Sequence, residues 1–166
     1  MMRVITSMLC VGDFGPKVMA DSSRRVVSSV AFCLMLAACG ALPNAVTEVR
    51  IVAEPGANQN TATAIDIVFA YSTTATVMLP KSGPEWFANK EEFINGLATD
   101  VDVVALQLPP SMVLDVELPA RHKNAIAVYS YVNYIGQGGQ VPFNLTPYRR
   151  ITINLKPQIV TYVPAE

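Results

Sequence analysis

The chain has 166 residues, of which 51% are hydrophobic and 15% charged, a length that suits one domain with a substantial core and is too short for two. Its 12 Lys and Arg residues nearly balance 13 Asp and Glu residues, so the charge indicates neither nucleic acid nor an anionic membrane surface as a partner. The 12 prolines disfavour a helical bundle and favour strands separated by turns.

The N-terminal segment is organised like a bacterial export signal. Arg24 and Arg25 precede an uncharged run over 26–38, which is shorter than the roughly 20 residues that a membrane-spanning helix needs. The run leads into Leu-Ala-Ala-Cys at 36–39, a tetrapeptide that resembles the lipobox of bacterial lipoproteins. The signal peptidase needs small side chains next to the bond that it cleaves, and lipidation needs a thiol that can form a thioether with a diacylglycerol.

Residues 1–38 are therefore assigned to a signal peptide, and its true translation start is predicted to be Met19 rather than Met1. Cys39 is predicted to carry a covalent lipid. Residues 39–45 would be the lipidated N-terminus and tether. Gly40 is not the aspartate associated with inner-membrane retention, so resemblance to sorted lipoproteins predicts the inner leaflet of the outer membrane, with the domain in the periplasm. A buried core helix, and an ordinary signal with a coincidental cysteine, are the alternatives.

Beyond the tether, residues 46–166 show chiefly the period-two alternation that is typical of β-strands. The first loop, 54–63, is rich in Pro, Gly and Asn and is predicted to be irregular. So many one-sided strands predict a mainly β fold in which two sheets form a sandwich. Seven strands are predicted, at 47–53, 64–71, 101–108, 112–118, 125–132, 151–155 and 159–163.

A helical insertion interrupts the strands at about 82–98. Ser82 and Asn89 are each followed three residues later by a glutamate, which is the pattern of a helix start, so one or two short helices are predicted. Trp86, the single tryptophan, is one of several apolar residues that follow one another at helical spacing. It is predicted to belong to the core rather than to a ligand platform.

No constellation in the sequence supports catalysis, and the protein is predicted not to be an enzyme. His122, the single histidine, lies between two basic residues and is predicted to occupy a solvated turn. Asp115 and Glu117 share the solvent face of a strand, where they form a polar face rather than an acid–base pair. No His, Cys and acidic cluster has metal-ligand spacing, so no cofactor is expected apart from the lipid on Cys39.

The order of these features over 36–163 resembles the outer-membrane lipoprotein of the type VI secretion system, the TssJ family, also called SciN or VasD. The matching pieces are the Leu-Ala-Ala-Cys tetrapeptide followed by EVRIVA, EPGANQNTAT, AIDIVFAY, EWFANKEEFINGL, VVALQLPP, MVLDVELP and AIAVYSYVNY. The resemblance implies a transthyretin-like β-sandwich that acts as a structural adaptor of the type VI membrane complex.

The resemblance also implies a partner and a contact site. The implied partner is the periplasmic domain of the inner-membrane protein TssM, within a complex that includes TssL. Contact would be made largely through the loop after the first strand. On this sequence the implied contact residues are Glu54, Pro55, Gly56, Ala57, Asn58, Gln59, Asn60 and Thr61.

The alternative function is a lipid-anchored periplasmic module that binds a glycan or a peptidoglycan fragment. Its site would be an aromatic-rich region whose rings stack on sugars. The region comprises Tyr129, Tyr131, Tyr134, Phe143 and Tyr148. A concave aromatic groove would favour this module, whereas a closed surface would favour the adaptor.

Overall fold

A computed structural model describes residues 44–136 and 141–165. The predicted signal peptide, Cys39 and most of the tether lie outside the described residues. Eight strands are described: β1 (Glu48–Ala53), β2 (Thr63–Ala70), β3 (Val101–Leu108), β4 (Val113–Asp115), β5 (Ala127–Asn133), β6 (Phe143–Asn144), β7 (Arg150–Leu155) and β8 (Val160–Ala165). Two helices, α1 (Thr73–Met78) and α2 (Gly83–Leu97), separate β2 from β3, and 3₁₀ turns cover Ala98–Asp100 and His122–Asn124.

The strands form two four-stranded sheets with the orders β4-β1-β7-β8 and β3-β2-β5-β6. All neighbouring pairs are antiparallel except β1 and β7, which run parallel from Glu48 opposite Arg150 to Ala53 opposite Leu155. Apolar residues from both sheets, such as Ile51, Ile67 and Ile153, pack into one core between them. The predicted fold class, a mainly β sandwich of two sheets with a short helical insertion, is confirmed.

Strand β2 is buried on both faces. Its residues Ile65, Ile67 and Phe69 belong to the core between the sheets. Val68 and Ala70, on the opposite face, join a second apolar cluster beneath the two helices, with Trp86 at its centre. The helical insertion therefore covers the outer face of the second sheet, which would otherwise be exposed.

The helical insertion agrees with the predicted region and adds one element to it. The Ser82 hydroxyl caps α2 by accepting a hydrogen bond from the Glu85 amide at 3.3 Å, and the helix bends at Asn89, where φ is −122°. Helix α1 is not predicted by the sequence pattern, because its Thr and Val residues favour strands. Its N-terminus is capped by the Ser72 hydroxyl, which accepts a hydrogen bond from the Ala75 amide at 3.1 Å.

One predicted strand is much shorter in the structure, and one strand of the structure is not predicted. The predicted strand over 112–118 is reduced to β4, which pairs with β1 only opposite Arg50–Val52. Two backbone bonds, from the Val116 amide to the Val49 carbonyl and from the Ala53 amide to the Met112 carbonyl, both 2.8 Å, continue the contact beyond the two ends of the strand. The two-residue strand β6 is not predicted, because so short a strand shows no alternation.

The sandwich has two distinguishable ends. At the entry end, the Asn44 side chain donates to the His122 carbonyl at 2.6 Å and the Ala45 amide donates to the Thr146 carbonyl at 3.0 Å. At the loop end lie the first loop and the segments 109–112, 134–136 and 156–159, which follow β3, β5 and β7. The first loop and the chain's entry thus lie at opposite ends of β1.

A constrained loop after the first strand

The first loop is bound to its neighbours by backbone hydrogen bonds from both of its halves. The Glu54 amide donates to the Leu155 carbonyl at 2.9 Å, and the Ser111 amide donates to the Glu54 carbonyl at 3.4 Å. Further along, the Asn58 amide donates to the Lys156 carbonyl at 3.1 Å and the Gln59 amide donates to the Pro157 carbonyl at 3.0 Å. The loop is consequently a defined part of the loop end, and it contains a helical turn over Ala57–Asn60.

Three consecutive residues of this turn have left-handed backbone angles. Asn58, Gln59 and Asn60 have φ values of 48°, 56° and 63°, and Gly56 precedes them at 77°. Each non-glycine residue in this region costs about 1–2 kcal/mol, although asparagine tolerates it better than most. Such strain persists only where the surrounding contacts determine the conformation, and it is concentrated at functional sites.

The Asn58 side chain supplies the central contact. It is 2% exposed, and its Oδ1 accepts a hydrogen bond from the Ile135 amide at 2.8 Å. Its Nδ2 donates to the Asn133 carbonyl at 3.3 Å. Asn58 therefore ties the first loop to the end of β5, in addition to the backbone bonds that tie the loop to the segment after β7.

The hydroxyl of Tyr134 adds a further hydrogen bond to this network. It donates to the Lys156 carbonyl at 2.7 Å, and the residue is 4% exposed. Burial raises the pKa of Tyr134 to about 12, so the hydroxyl keeps its proton and remains a donor throughout the physiological pH range. The carbonyl of Lys156 consequently accepts from both Tyr134 and Asn58.

The eight residues predicted to contact a partner divide by exposure. The Ala57 and Asn58 side chains are buried and face the protein, so they shape the loop. Glu54 is half-buried, with its Oε1 4.0 Å from Nζ of Lys156. Gly56 is also half-buried, and the exposed remainder is Pro55, Gln59, Asn60 and Thr61. Sequence alone could not make this division, because it depends on which side chains turn inward.

Trp86 is a core residue, as predicted. It is fully buried, stacks on Tyr131 with ring centroids 4.8 Å apart, and donates its indole N–H to Oδ2 of Asp66 at 2.7 Å. The same carboxylate oxygen lies 2.8 Å from Nζ of Lys90, which α2 supplies. The buried acid thus has a cation and a neutral donor as partners, and its role is to fasten the helix to the sheet.

The five aromatic residues of the alternative site do not form one platform. Tyr129 and Tyr131 border an open groove of about 360 Å³, but Tyr131 is 1% exposed and its hydroxyl donates to the Pro80 carbonyl. Tyr134 is buried at the loop end. Phe143 is stacked on Tyr148 and on Tyr162, the latter at a centroid distance of 3.9 Å. The rings of Phe143, Tyr148 and Tyr162 therefore pack against one another.

Polar side chains outside the first loop form surface ion pairs or hydrogen bonds to the backbone. Asp115 accepts two hydrogen bonds from the guanidinium of Arg50, at 2.6 and 3.0 Å, which lowers the pKa of the Asp115 carboxyl. Arg121 donates to both oxygens of Asp102, at 2.9 and 2.8 Å, and this lowers the pKa of Asp102. His122 is half-buried and its Nδ1 lies 2.8 Å from the Pro119 carbonyl, so it is less solvated than predicted.

Two further findings concern the described part of the chain as a whole. Among residues 44–136 and 141–165, no group of three or more His, Cys, Asp or Glu side chains is arranged to hold a metal ion. Within the same ranges, neither helix has the length and hydropathy required to cross a bilayer.

The chain folds as a two-sheet β-sandwich with a helical insertion between β2 and β3, and this is its structural class. No protein-family model and no curated protein matches its sequence. Among solved structures, the T6SS lipoprotein TssJ1 from Pseudomonas aeruginosa superposes with a TM-score of 0.53 at 14% identity, covering 75% of this chain and 98% of that one. Serratia marcescens Lip, described as a membrane-bound component of the type VI secretion system, superposes at 0.50 with 12% identity, over 75% and 99% of the two chains.

A third similar structure is described as the C-terminal domain (869–1107) of the T6SS protein TssM from EAEC. The matching chain superposes with a TM-score of 0.50 at 14% identity, over 71% of this chain and 100% of that one. The neighbours are thus components of the type VI secretion system, two of them a lipoprotein and a membrane-bound component. The chain has a TssJ-like fold, as its sequence pattern predicted.

Proposed function

We propose that this protein is a lipid-anchored structural adaptor of the type VI secretion membrane complex. The observation that carries the proposal is the likeness of its sandwich to TssJ1 and Lip over nearly their whole chains, in a sequence that also contains the Leu-Ala-Ala-Cys tetrapeptide at 36–39. The lipid on Cys39 would fix one end of the molecule to the outer membrane. The rigid sandwich would present its other end to the periplasm.

The position of the first loop supports this division of roles. Asn44 lies five positions after Cys39, so the tether between them spans at most roughly 17 Å. Strand β1 begins close to Asn44 and ends at the first loop, and its six residues extend about 20 Å. The loop would therefore lie beyond the body of the sandwich as seen from the membrane, where a protein from the inner membrane can reach it.

The chemistry of the loop supports a protein partner. Its exposed residues Pro55, Gln59, Asn60 and Thr61 are uncharged, and the backbone is already ordered by its contacts with the segments after β5 and β7. A preordered loop loses little conformational entropy on binding, which favours affinity. We propose that the partner is the periplasmic domain of a TssM-type inner-membrane protein, within a complex that includes TssL. Asn58 acts as a positioning residue that sets the shape of the loop.

Binding to that periplasmic domain tests the proposal. The full chain in detergent is immobilised, and capture of the purified periplasmic domain of the TssM-type protein from the same cells is measured. A variant with residues 55–60 replaced by a Gly/Ser loop is the comparison. We expect capture by the unmodified chain and its loss in the variant. Failure of the unmodified chain to capture the domain would contradict the adaptor function, and equal capture by both proteins would exclude the first loop as the contact.

A further inference from the structure

We infer that two exposed isoleucines, Ile135 and Ile159, flank the first loop as apolar anchors of the same docking surface, and that this surface accepts an uncharged, apolar face of its protein partner. The inference rests on the proposed adaptor function and extends the contact to two segments that are distant from the loop in sequence. We call the combination of the first loop, Ile135 and Ile159 the docking face.

Both isoleucines are exposed although large aliphatic side chains are normally buried. Ile135 is 60% exposed and Ile159 is 49% exposed. A single exposed aliphatic residue is ordinary in a soluble protein, whereas apolar groups clustered around one feature indicate an interaction site. Both residues lie in the segments that hold the first loop in place, so they are exposed next to a loop with three consecutive left-handed residues.

Hydrogen bonds place the two isoleucines beside the loop. The amide of Ile135 donates to Oδ1 of Asn58, and the carbonyl of Ile159 accepts from the amide of Lys156 at 3.0 Å. The carbonyl of Lys156 in turn accepts from the amide of Asn58. A side chain added at Gly136 would lie 3.9 Å from the Gln158 carbonyl, so the two flanking segments also approach each other directly.

The charge of the docking face defines the chemistry of its occupant. In the loop-end segments 54–61, 109–112, 134–136 and 156–159, the only charged side chains are Glu54 and Lys156, which are opposite in sign and lie 4.0 Å apart. This near-neutral surface offers no steering to an anionic or cationic ligand. An occupant that buries the isoleucines gains apolar contact, and its uncharged polar groups can pair with Gln59, Asn60 and Thr61.

Val77 provides a matched control for this inference. It is 75% exposed, more than either isoleucine, but it belongs to α1 on the outer face of the second sheet. Replacing it with aspartate removes a comparable apolar side chain and adds the same charge. Any effect of charge or solubility alone should therefore appear in this variant as well.

The test compares Ile135→Asp, Ile159→Asp and Val77→Asp in the full chain for binding to the periplasmic domain of the TssM-type protein. We expect each isoleucine variant to bind about tenfold more weakly or worse, and the valine variant to bind within about twofold of the unmodified chain. Ile135→Leu and Ile159→Leu should retain binding because they keep the apolar surface. Fluorescence of Trp86 and far-ultraviolet circular dichroism establish that each variant is folded.

The outcomes separate this inference from the function on which it rests. If the Gly/Ser loop variant loses binding while both aspartate variants bind normally, the isoleucine anchors are refuted and the adaptor function stands. An equal loss in Val77→Asp would also refute them. If the unmodified chain does not bind, the function and the inference are both refuted.

The salt dependence of binding tests the uncharged character of the occupant. Between roughly 0.05 and 0.5 M salt the affinity should change little, and a steep decline would contradict an uncharged occupant.

Discussion

Replacing Asn58 with alanine should destabilise the protein, and the structure allows the loss to be estimated. The variant leaves the part-buried Ile135 amide without its acceptor, which costs about 1–3 kcal/mol. The longer bond to the Asn133 carbonyl adds about 0.5 kcal/mol. Alanine at a φ of 48° adds roughly 1 kcal/mol relative to asparagine. The expected loss in free energy of unfolding is therefore about 2.5–4.5 kcal/mol.

Asn60→Ala is the matched control for this estimate. Asn60 has a φ of 63°, so its replacement carries the same backbone penalty of about 1 kcal/mol. Its side chain is exposed and makes no hydrogen bond within the part of the chain that the structure describes. The difference between the two variants therefore isolates the side-chain hydrogen bonds of Asn58.

Urea unfolding followed by the fluorescence of Trp86 measures both variants, since the chain has one tryptophan and it is fully buried. We expect Asn58→Ala to lose about 1.5–3.5 kcal/mol more than Asn60→Ala. Equal losses would refute the reasoning, because they would show that backbone strain alone accounts for the effect. The loop would then owe its shape to the backbone hydrogen bonds with the segment after β7.

Three further predictions concern the core, the surface ion pair and the membrane anchor. Trp86→Phe removes the indole donor from the buried carboxylate of Asp66 and should lower the free energy of unfolding by about 1–3 kcal/mol. Unfolding followed by circular dichroism measures the loss, and an unchanged stability would show that Lys90 alone satisfies the carboxylate. The lowered pKa of Asp102 beside Arg121 stabilises the fold above the ordinary aspartate pKa of about 3.9, and this contribution is lost as the pH falls through the native value. The unmodified protein should therefore exceed Arg121→Met in stability at neutral pH, with the difference narrowing in acid, and a constant difference would contradict the assignment. Cys39→Ser should abolish acyl labelling and membrane association, and retention of both would overturn the proposed localisation.

The adaptor function and the glycan-binding alternative differ in what they require of the surface. A glycan module needs accessible aromatic rings on one concave face, but four of the five predicted rings are buried or stacked on neighbouring rings. An adaptor needs a rigid scaffold with an accessible docking site remote from its anchor. The docking face at the loop end would meet this requirement.

Local patterns were sufficient to predict the elements whose stability depends on neighbours along the chain. Period-two alternation identified β2 and β3, and the Ser82 capping pattern identified the start of α2. The spacing of Trp86 with other apolar residues identified it as a core residue. These features could be predicted because a strand's faces and a helix's cap are determined within a few residues.

Only the tertiary structure decided the features that depend on distant partners. Helix α1 packs against β2 despite its β-branched residues, and β4 is limited to the three residues that pair with β1. The sequence indicated the first loop, but it could not show that Asn58 turns inward, since the amide that it binds is 77 residues away. For the same reason it could not show that Ile135 and Ile159 flank that loop. Alternation and capping act locally, whereas a docking surface is assembled from segments that only the packing of the two sheets brings together.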